Sequence, residues 1–529
     1  MRLLFTLLCV SIFAFAPAQE MTSGGKLRPE QAIMDIRHYT VALNVDPTQK
    51  SIDGYAEIDL ITSESTKTLL FDFTTVLTVR KIWVNKKEQR YTHQDNLITI
   101  LAAAPLPAGK IHVKIQYDGK PHVAARPPWN GGFTWATDSK GNPWIDITCQ
   151  TDGAKIYFPC KDHPSDEPND GADVIVTVPK GLYVTGPGLL LSEKTKGDKT
   201  TFHWQTKYTI NNYSILFNIG KFKPFMRTYT TINGNNVPMY FYPLEEHADQ
   251  AERFLDIFER SCRVQEKYFG EYPWVKEKMA ITEASHPGME HQTSNTYGAK
   301  FKYRTVGGKD FDDQIHHEFG HEWWGNKVTG IDWADMWIQE GIDTYGDALY
   351  IREYEGEEGY QKLMQRTARN IENHQAVVPG RDVDSDSVYQ RDIYGKGAFF
   401  MHTIRYVIGD EIFFPALKDF VTNPKYTYDK LVNTDDVEKH FSTASGKNLK
   451  PLFDLFLRTT DKLTVLVKQT GEKKYQISIL NPGIAVPVDI QTDKGLERVT
   501  LDGKGISVES TSTPVIDPKV FYFKKVILE

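Results

Sequence analysis

The spacing of apolar residues changes twice along this chain of 529 residues, and each change limits what the segment can fold into. Apolar and polar residues alternate in the first part, for example from Tyr39 to Val45, as in half-buried strands. From about residue 230 apolar residues recur at helical spacing, for example from Ala251 to Cys262, and after about residue 457 the alternation returns. We therefore predict a multidomain α+β protein. The predicted parts are an N-terminal β domain, a helix-rich domain and a small C-terminal β domain, at residues 27–227, 228–457 and 458–529.

The charge of the chain argues against nucleic-acid binding. Its net charge is -7 at pH 7, and the lysines are scattered among acidic residues rather than clustered in a stripe. After the first twenty residues no segment is long and apolar enough to span a bilayer, so we expect no transmembrane segment. The sequence carries no indication of the oligomeric state.

The first eighteen residues have the pattern of a secretory signal peptide. Arg2 precedes an apolar run from Leu3 to Phe15, which is followed by small residues ending at Ala18. We expect cleavage near Ala18 and export to a periplasm or to the outside of the cell. Lipid modification of Cys9 is the alternative, which is disfavoured because the residues before it are large.

Three cysteines follow this segment, too few for a disulfide scaffold. Cys149 and Cys160 are either a disulfide pair or two buried free thiols, and their spacing does not choose between the two.

The sequence HEFGH at residues 317–321 is the main indication of chemistry. On a helix, His317 and His321 lie one turn apart on the same face, so both imidazoles can reach one metal ion. Glu318 then projects toward the open side of that ion. The alternative is a helix that carries two solvated histidines.

A catalytic zinc site needs a third protein ligand and one position open to water. Glu340 is the candidate, because it lies nineteen positions beyond His321 in an apolar segment that is typical of a second packed helix. The alternative is an exposed surface carboxylate. His316 points about 100° away from His317 around the helix, which favours a packing or supporting role.

Histidines that bind metal usually donate their other ring N–H to a carboxylate or a carbonyl. Asp335, Asp343 and Glu322 are the candidates, and spacing does not choose among them.

Five segments together resemble the gluzincin aminopeptidases, the group that includes alanyl aminopeptidase and leukotriene-A hydrolase. HEFGHEWWGN and WADMWIQEG are similar to the family's metal-binding segments, and the other three similar segments are HPGMEHQT, ITCQTDGAKIYFPCKDHP and DIYGKGAFFMHTIRYVIGDE. The resemblance covers about residues 35 to 460. It implies a saddle-like β domain, a thermolysin-like catalytic domain and a small β domain. We expect a short form without the large C-terminal helical domain of many members.

The resemblance also implies residue roles. Glu290, assisted by Gln150, would bind the free α-amine of a peptide, and Tyr394 would stabilise the oxyanion. Gly288 would let a substrate backbone approach closely. Lys396 is expected to support the Tyr394 helix rather than to contact substrate.

The function that follows is a zinc-dependent aminopeptidase with one Zn²⁺ ion that acts on peptides with a free N terminus. Glu318 would take a proton from the attacking water and pass it to the leaving amine. A non-peptide zinc hydrolase of the epoxide type and a catalytically silent peptide-binding protein are the alternatives. His291 departs from the asparagine that the family has after the amine-binding glutamate, which leaves the carboxylate but changes how its loop is held.

Overall fold

The computed structural model describes residues 21–529. The expected signal peptide lies outside the described residues. None of the helices in residues 21–529 combines the length and the apolar character that crossing a membrane requires.

The N-terminal part consists almost entirely of strands whose residues alternate between buried and exposed, as the sequence pattern predicts. A short helix, α1 (Pro29–Ala32), precedes the first strand. The strands are β1 (Met34–Asp46), β2 (Ser51–Thr62), β3 (Thr66–Asp72), β4 (Thr78–Val84), β5 (Lys87–Glu88), β6 (Arg90–Gln94), β7 (Leu97–Leu106), β8 (Gly109–Gly119), β9 (Gly132–Thr137), β10 (Pro143–Thr148), β11 (Ala172–Pro179), β12 (Tyr183–Thr185), β13 (Leu189–Lys196), β14 (Lys199–Thr206) and β15 (Asn218–Gly220).

These strands form three sheets with a common core. The largest has eight strands in the order β13-β14-β11-β1-β2-β8-β4-β5, and smaller sheets have the orders β12-β15-β10-β9 and β3-β7-β6. In the centre of the large sheet Tyr39 lies opposite Ile58 of β2 and Ala172 of β11. All three side chains are buried, so the apolar face of this sheet is turned inward.

The helix-rich part, for which the sequence predicts the catalytic site, combines a four-stranded sheet, ordered β16-β17-β18-β19, with eight helices. Its elements are β16 (Phe225–Thr230), β17 (Asn236–Tyr242), α2 (Ala251–Phe269), β18 (Met279–Glu283), β19 (Asn295–Tyr297), β20 (Arg304–Val306), β21 (Lys309–Phe311), α3 (Asp313–Gly320), α4 (Trp337–Arg369), α5 (Ser385–Val388), α6 (Arg391–Ile408), α7 (Asp410–Thr422), α8 (Thr434–Ser445) and α9 (Lys450–Leu457). The predicted boundary at 227/228 cuts through β16, which pairs with β17, so this part begins before Phe225. All six residues of β16 pair with β17, and the change of period in the sequence does not reveal this pairing.

Small residues let the three helices that carry the site approach closely. A Cβ at Gly320 of α3 would lie 2.0 Å from Asp343 Oδ1 of α4. A Cβ at Gly341 of α4 would lie 2.8 Å from the Cα of Gly397 in α6. No side chain fits at these contacts, and the glycines therefore set the spacing of α3, α4 and α6.

The C-terminal part has seven strands in two sheets, ordered β26-β23-β22-β28 and β25-β24-β27. Its strands are β22 (Leu463–Gly471), β23 (Lys474–Ile479), β24 (Val486–Thr492), β25 (Gly495–Leu501), β26 (Ile506–Glu509), β27 (Val515–Ile516) and β28 (Lys524–Leu528). It packs on α6 through Tyr406 and Phe521, whose ring centroids are 3.8 Å apart. The predicted boundary at 457/458 coincides with the end of α9.

An extended N-terminal segment bridges the first two parts. The Ser23 amide donates to Thr151 O of the N-terminal part (2.8 Å), and Ser23 O accepts from the Ser385 amide of the catalytic part (3.0 Å). The Ser23 hydroxyl also donates to Asp162 (3.1 Å). This segment therefore helps to hold the two parts in one relative position.

Cys149, Cys160 and Cys262 are buried free thiols. Of the two possibilities for Cys149 and Cys160, the structure shows the unpaired one.

Candidate active site

Helix α3 and the start of α4 bring three potential metal ligands together. Glu340 Oε2 lies 3.4 Å from His321 Nε2 and 3.7 Å from His317 Nε2. Tetrahedral zinc with bonds of about 2.0–2.2 Å separates neighbouring ligand atoms by about 3.4 Å. The three residues therefore have the chemistry and the spacing of a zinc site, and Glu340 does not face solvent as the surface alternative required.

The electrostatics of Glu340 also fit a cation at this position. Its Oε2 is buried and has no hydrogen-bond donor among residues 21–529, a state that a bound metal ion would satisfy. Burial opposes ionisation of Glu340, but the positive charges of protonated His321 and His317 outweigh it and hold its pKa at about 2, and a metal ion between neutral imidazoles would supply positive charge at the same place. The carboxylate is therefore ionised, as a ligand must be.

The remaining ring nitrogens of the two histidines have acceptors that orient them. His321 Nδ1 lies 2.8 Å from the carbonyl oxygen of Trp324, and His317 Nδ1 lies 3.1 Å from carboxylate oxygens of both Asp343 and Asp347. His317 Nδ1–H donates its hydrogen bond to Asp347 Oδ2, whereas Asp343 Oδ2 lies at the same distance without a hydrogen bond to any described residue. With Nδ1–H donated to Asp347 and to the Trp324 carbonyl, each Nε2 keeps its lone pair for a metal. Of the three candidate partners from the sequence only Asp343 lies beside a metal-binding imidazole, and Asp347, which accepts the hydrogen bond, was not predicted.

The other two candidates hold the surroundings of the site. Glu322 accepts from the amide of Thr293 (2.9 Å) and from the side chain of Asn295 (2.8 Å). Asp335 accepts from the amide (2.8 Å) and hydroxyl (2.7 Å) of Thr434. Both carboxylates therefore fix neighbouring segments and do not orient a metal-binding imidazole.

His316 packs inside the domain and does not reach the site. Its ring is fully buried, with its centroid 4.8 Å from that of Tyr350, and burial lowers its pKa to about 4. It is therefore a neutral packing residue.

The carboxylate of Glu318 lies against the backbone of Gly288. A Cβ at Gly288 would lie 2.6 Å from Glu318 Oε1, so any larger residue there would displace this carboxylate. Burial raises the pKa of Glu318 to about 8, and the charge of a nearby divalent cation would favour the ionised form. The glycine thus leaves room for the predicted base as well as for a substrate backbone.

Glu290 lies next to the metal-binding group and is contacted from the N-terminal domain. Its Oε1 accepts a hydrogen bond from Gln150 Nε2 and another from the Tyr213 hydroxyl at 3.0 Å. One ligand atom each from Glu290, Glu318 and His321 lies within 4.8 Å of the others. Burial raises the pKa of Glu290, and an ammonium group placed beside it would favour its ionised form.

The loop that carries Glu290 is fixed by an asparagine of the HEFGHEWWGN segment. Asn326 Nδ2 donates to Glu290 O at 2.8 Å, and Asn326 Oδ1 accepts from Asn211 at 2.9 Å. His291 is fully buried, and neither of its ring nitrogens has a hydrogen-bond partner in the described chain. Burial holds its pKa well below the usual value, so His291 fills space as a neutral ring while Asn326 holds the loop.

Two tyrosines line the metal side of the cleft. The hydroxyls of Tyr394 and Tyr389 are 2.6 Å apart and share a hydrogen bond in which either can donate, and the Tyr389 hydroxyl oxygen lies 3.4 Å from Glu340 Oε1. Burial raises the pKa of Tyr394 well above its usual value, so its hydroxyl stays protonated and able to donate. Lys396 Nζ donates to Asn373 Oδ1 at 2.7 Å, away from this group, in keeping with a supporting role.

The structure thus brings together all eight predicted site residues, and their individual roles remain predictions. Four further residues of the site were not predicted: Tyr213, Asn326, Asp347 and Tyr389. Two of them could have been found from the sequence. Asn326 lies in the HEFGHEWWGN segment, and Asp347 lies one helical turn beyond Asp343. Tyr213 had no such signal, because only the docking of the N-terminal domain places it here.

Comparison with known proteins agrees with this geometry. The Peptidase family M1 domain matches residues 253–456. Leucine aminopeptidase 2 of Yarrowia lipolytica is 26% identical over 489 residues, which cover 82% of this chain and 71% of that protein. Aminopeptidase 2, mitochondrial, of Saccharomyces cerevisiae is 24% identical over 345 residues, which cover 61% of this chain and 34% of that protein. The chain therefore spans only part of the length of these relatives.

Solved structures share the fold. An M1 zinc metallopeptidase of Deinococcus radiodurans, bound to a Tyr-Ser-Ala substrate, superposes with a TM-score of 0.69 at 20% identity, over 82% of this chain and 95% of that one. This likeness confirms the predicted fold class, a multidomain α+β protein with a β-rich N-terminal part and a helix-rich part after it. The match of residues 253–456 to the Peptidase family M1 domain supports the resemblance to the gluzincin aminopeptidases that the motifs indicated.

Proposed function

We propose that this protein is a zinc-dependent aminopeptidase that hydrolyses the first peptide bond of substrates with a free N terminus. The observation that carries the proposal is the position of Glu290. This carboxylate lies within the same small group as Glu318 and His321, and its own hydrogen-bond donors, Gln150 and Tyr213, are neutral. A positive α-ammonium group is therefore the partner that it lacks.

His317, His321 and Glu340 would hold one zinc ion. When bound, zinc supplies a Lewis acid that polarises a carbonyl group and lowers the pKa of water to about 7. Asp343, Asp347 and the Trp324 carbonyl keep the two imidazoles oriented for this purpose.

The other residues of the site would handle protons and charge. Glu318 accepts the proton of the attacking water and then donates it to the leaving amine, which conserves the proton within the site. The Tyr394 hydroxyl donates a hydrogen bond to the carbonyl oxygen as negative charge develops on it. Tyr389 orients that hydroxyl by donating its own proton to the Tyr394 oxygen, which leaves the Tyr394 proton for the substrate oxygen.

Selectivity for the first bond would follow from charge. A peptide with a blocked N terminus would leave the buried Glu290 carboxylate without a cation. Leaving a buried charge unpaired costs on the order of 3–5 kcal/mol, which corresponds to roughly a 10²- to 10⁴-fold loss of kcat/KM. The same arrangement therefore disfavours cleavage within a chain.

A panel of amino-acid p-nitroanilides with and without a chelator would test the proposal, together with their Nα-acetylated forms. We expect chelator-sensitive hydrolysis of the free-amine substrates only, and a fall in kcat of about 10²- to 10⁴-fold for Glu318→Ala. Binding of peptides without turnover would favour the silent binding protein. Hydrolysis of a lipid epoxide but not of any anilide would favour the non-peptide hydrolase.

We propose in addition that the protein is exported after cleavage near Ala18. The support is the sequence of residues 1–18 alone, with its early cation, its apolar run and its small residues. Mass spectrometry of the N terminus of the protein purified from its native cell would test this proposal. A mature chain that still begins at Met1 would contradict it.

A further inference from the structure

A cavity lies between the N-terminal and catalytic domains, directly beside the group that contacts Glu290. Its volume, counted as the space open to the centre of a water molecule, is about 60 Å³. Gln150 and Tyr213, the two donors to Glu290, form part of its wall, and Trp333 and Met336 of the catalytic domain form another part. If the α-amine of a peptide is held at Glu290, the first side chain lies within reach of this cavity.

The wall of the cavity is acidic. The described residues that line it include four carboxylates and no lysine or arginine, and these carboxylates belong to Asp162, Asp166, Glu167 and Asp332. Which of them can attract a positive group depends on the cations and donors that each already has beside it.

Three of the four carboxylates already have strong partners. Asp162 lies 2.8 Å from Lys155 Nζ, and Asp166 lies 2.9 Å from Lys161 Nζ. Asp332 accepts from two backbone amides, those of residues 334 (2.9 Å) and 382 (2.8 Å). These groups therefore need no ligand for their charge to be stabilised.

Glu167 differs from them. Its residue is only 6% exposed, its Oε1 has no hydrogen-bond partner within residues 21–529, and its Oε2 accepts a long hydrogen bond of 3.4 Å from Thr209. No basic side chain of the described chain forms an ion pair with it under 4.0 Å. Burial raises the pKa of Glu167 to about 8, as expected for a carboxyl group that has no cation beside it.

We infer that this cavity receives the first side chain of the peptide and that Glu167 selects side chains that end in a cation, those of lysine and arginine. The inference rests on the proposed aminopeptidase function, because that function places the α-amine at Glu290. Glu167 is thus a specificity-determining residue and takes no part in the bond cleavage.

The size of the effect follows from the chemistry of the contact. A hydrogen bond between a buried carboxylate and a cationic group favours the charged side chain over an uncharged one of similar shape by about 10- to 100-fold in kcat/KM. Norleucine has the shape of a lysine side chain without its ammonium group, so it is the matched comparison.

The experiment compares p-nitroanilides of lysine, arginine, norleucine and methionine on the zinc-loaded full chain. For the wild type we expect kcat/KM to be at least about 10-fold higher for lysine than for norleucine. In Glu167→Gln this ratio should fall toward 1, and in Asp170→Asn it should not change. Asp170 is a suitable control because it lies on the same loop, is exposed and pairs with Arg37 outside the cavity. Thermal unfolding and zinc content establish that each variant is folded.

The outcomes separate the two proposals. If no free-amine substrate is hydrolysed in a chelator-sensitive way, the proposed function is wrong. If such hydrolysis occurs but the wild type prefers norleucine or methionine to lysine, or if Glu167→Gln leaves the ratio unchanged, the inference about Glu167 is wrong and its role is structural. The wild-type ratio gives an answer even if Glu167→Gln does not fold.

Discussion

The two sides of the candidate active site are built in different ways. The metal side comes from α3, α4 and α6 of one domain: His317 lies on α3, His321 is the residue that caps its C-terminal end, and Glu340 lies in the first turn of α4. The amine side joins Glu290 of the catalytic domain to Gln150 and Tyr213 of the N-terminal domain. The difference teaches that bond cleavage depends on helix geometry within one domain, whereas selection of the N terminus depends on how two domains dock.

The largest effect is expected on the metal side. Glu340→Gln removes the only anionic ligand of the proposed site, so we expect loss of bound zinc and a fall in activity of more than about 10³-fold. Substitution of a residue that only orients a ligand typically lowers metal affinity or activity by about 10- to 100-fold. Elemental analysis of zinc per chain and the anilide assay measure both. Glu355→Gln, an exposed change on the same helix, is the control. A Glu340→Gln protein that keeps one zinc ion per chain would contradict the assigned ligand set.

A smaller effect on the same side is expected for Tyr394→Phe. The change removes a donor to the developing oxyanion, so kcat should fall by about 10²- to 10³-fold while KM and zinc content stay nearly constant. Steady-state kinetics on one good anilide substrate measure the separation of kcat from KM. An unchanged kcat would show that this hydroxyl does not contact the reacting carbonyl group.

The smallest of the three effects is expected on the amine side. Tyr213→Phe removes one hydrogen bond to the Glu290 carboxylate, so KM for free-amine substrates should rise by about 10-fold with little change in kcat or in bound zinc. Tyr183→Phe provides a control in the same domain. If Tyr213→Phe instead lowers kcat at unchanged KM, the N-terminal domain takes part in the chemical step and the contrast between the two sides fails.

The metal side could be placed from the sequence because its geometry is local. The i and i+4 positions of a helix put His317 and His321 on one face whatever surrounds them, and a second apolar helix nearby offers few positions other than Glu340. Asp343 was one of three candidate carboxylates, together with Glu322 and Asp335. Only the way in which α3 and α4 cross shows that Asp343 is the one beside a metal-binding histidine. Asp347 lies one helical turn beyond Asp343, so its position on the same face of α4 could have been read from the spacing.

The amine side required the assembled protein. Gln150 and Glu290 were inferred from the family resemblance, but no spacing rule connects Tyr213 to Glu290 across 77 positions. The predicted boundary at 227/228 failed for a related reason, since the pairing of β16 with β17 assigns that strand to the catalytic sheet.

By itself the sequence determined the order of β-rich and helical parts and the metal-binding face of α3, because both follow from periodicities that act between near neighbours in the chain. Only the tertiary structure decided which carboxylates stand behind the histidines, which tyrosine contacts Glu290 and where Glu167 is left without a cation. These features depend on contacts between segments that are far apart in sequence, and close packing admits one arrangement of them.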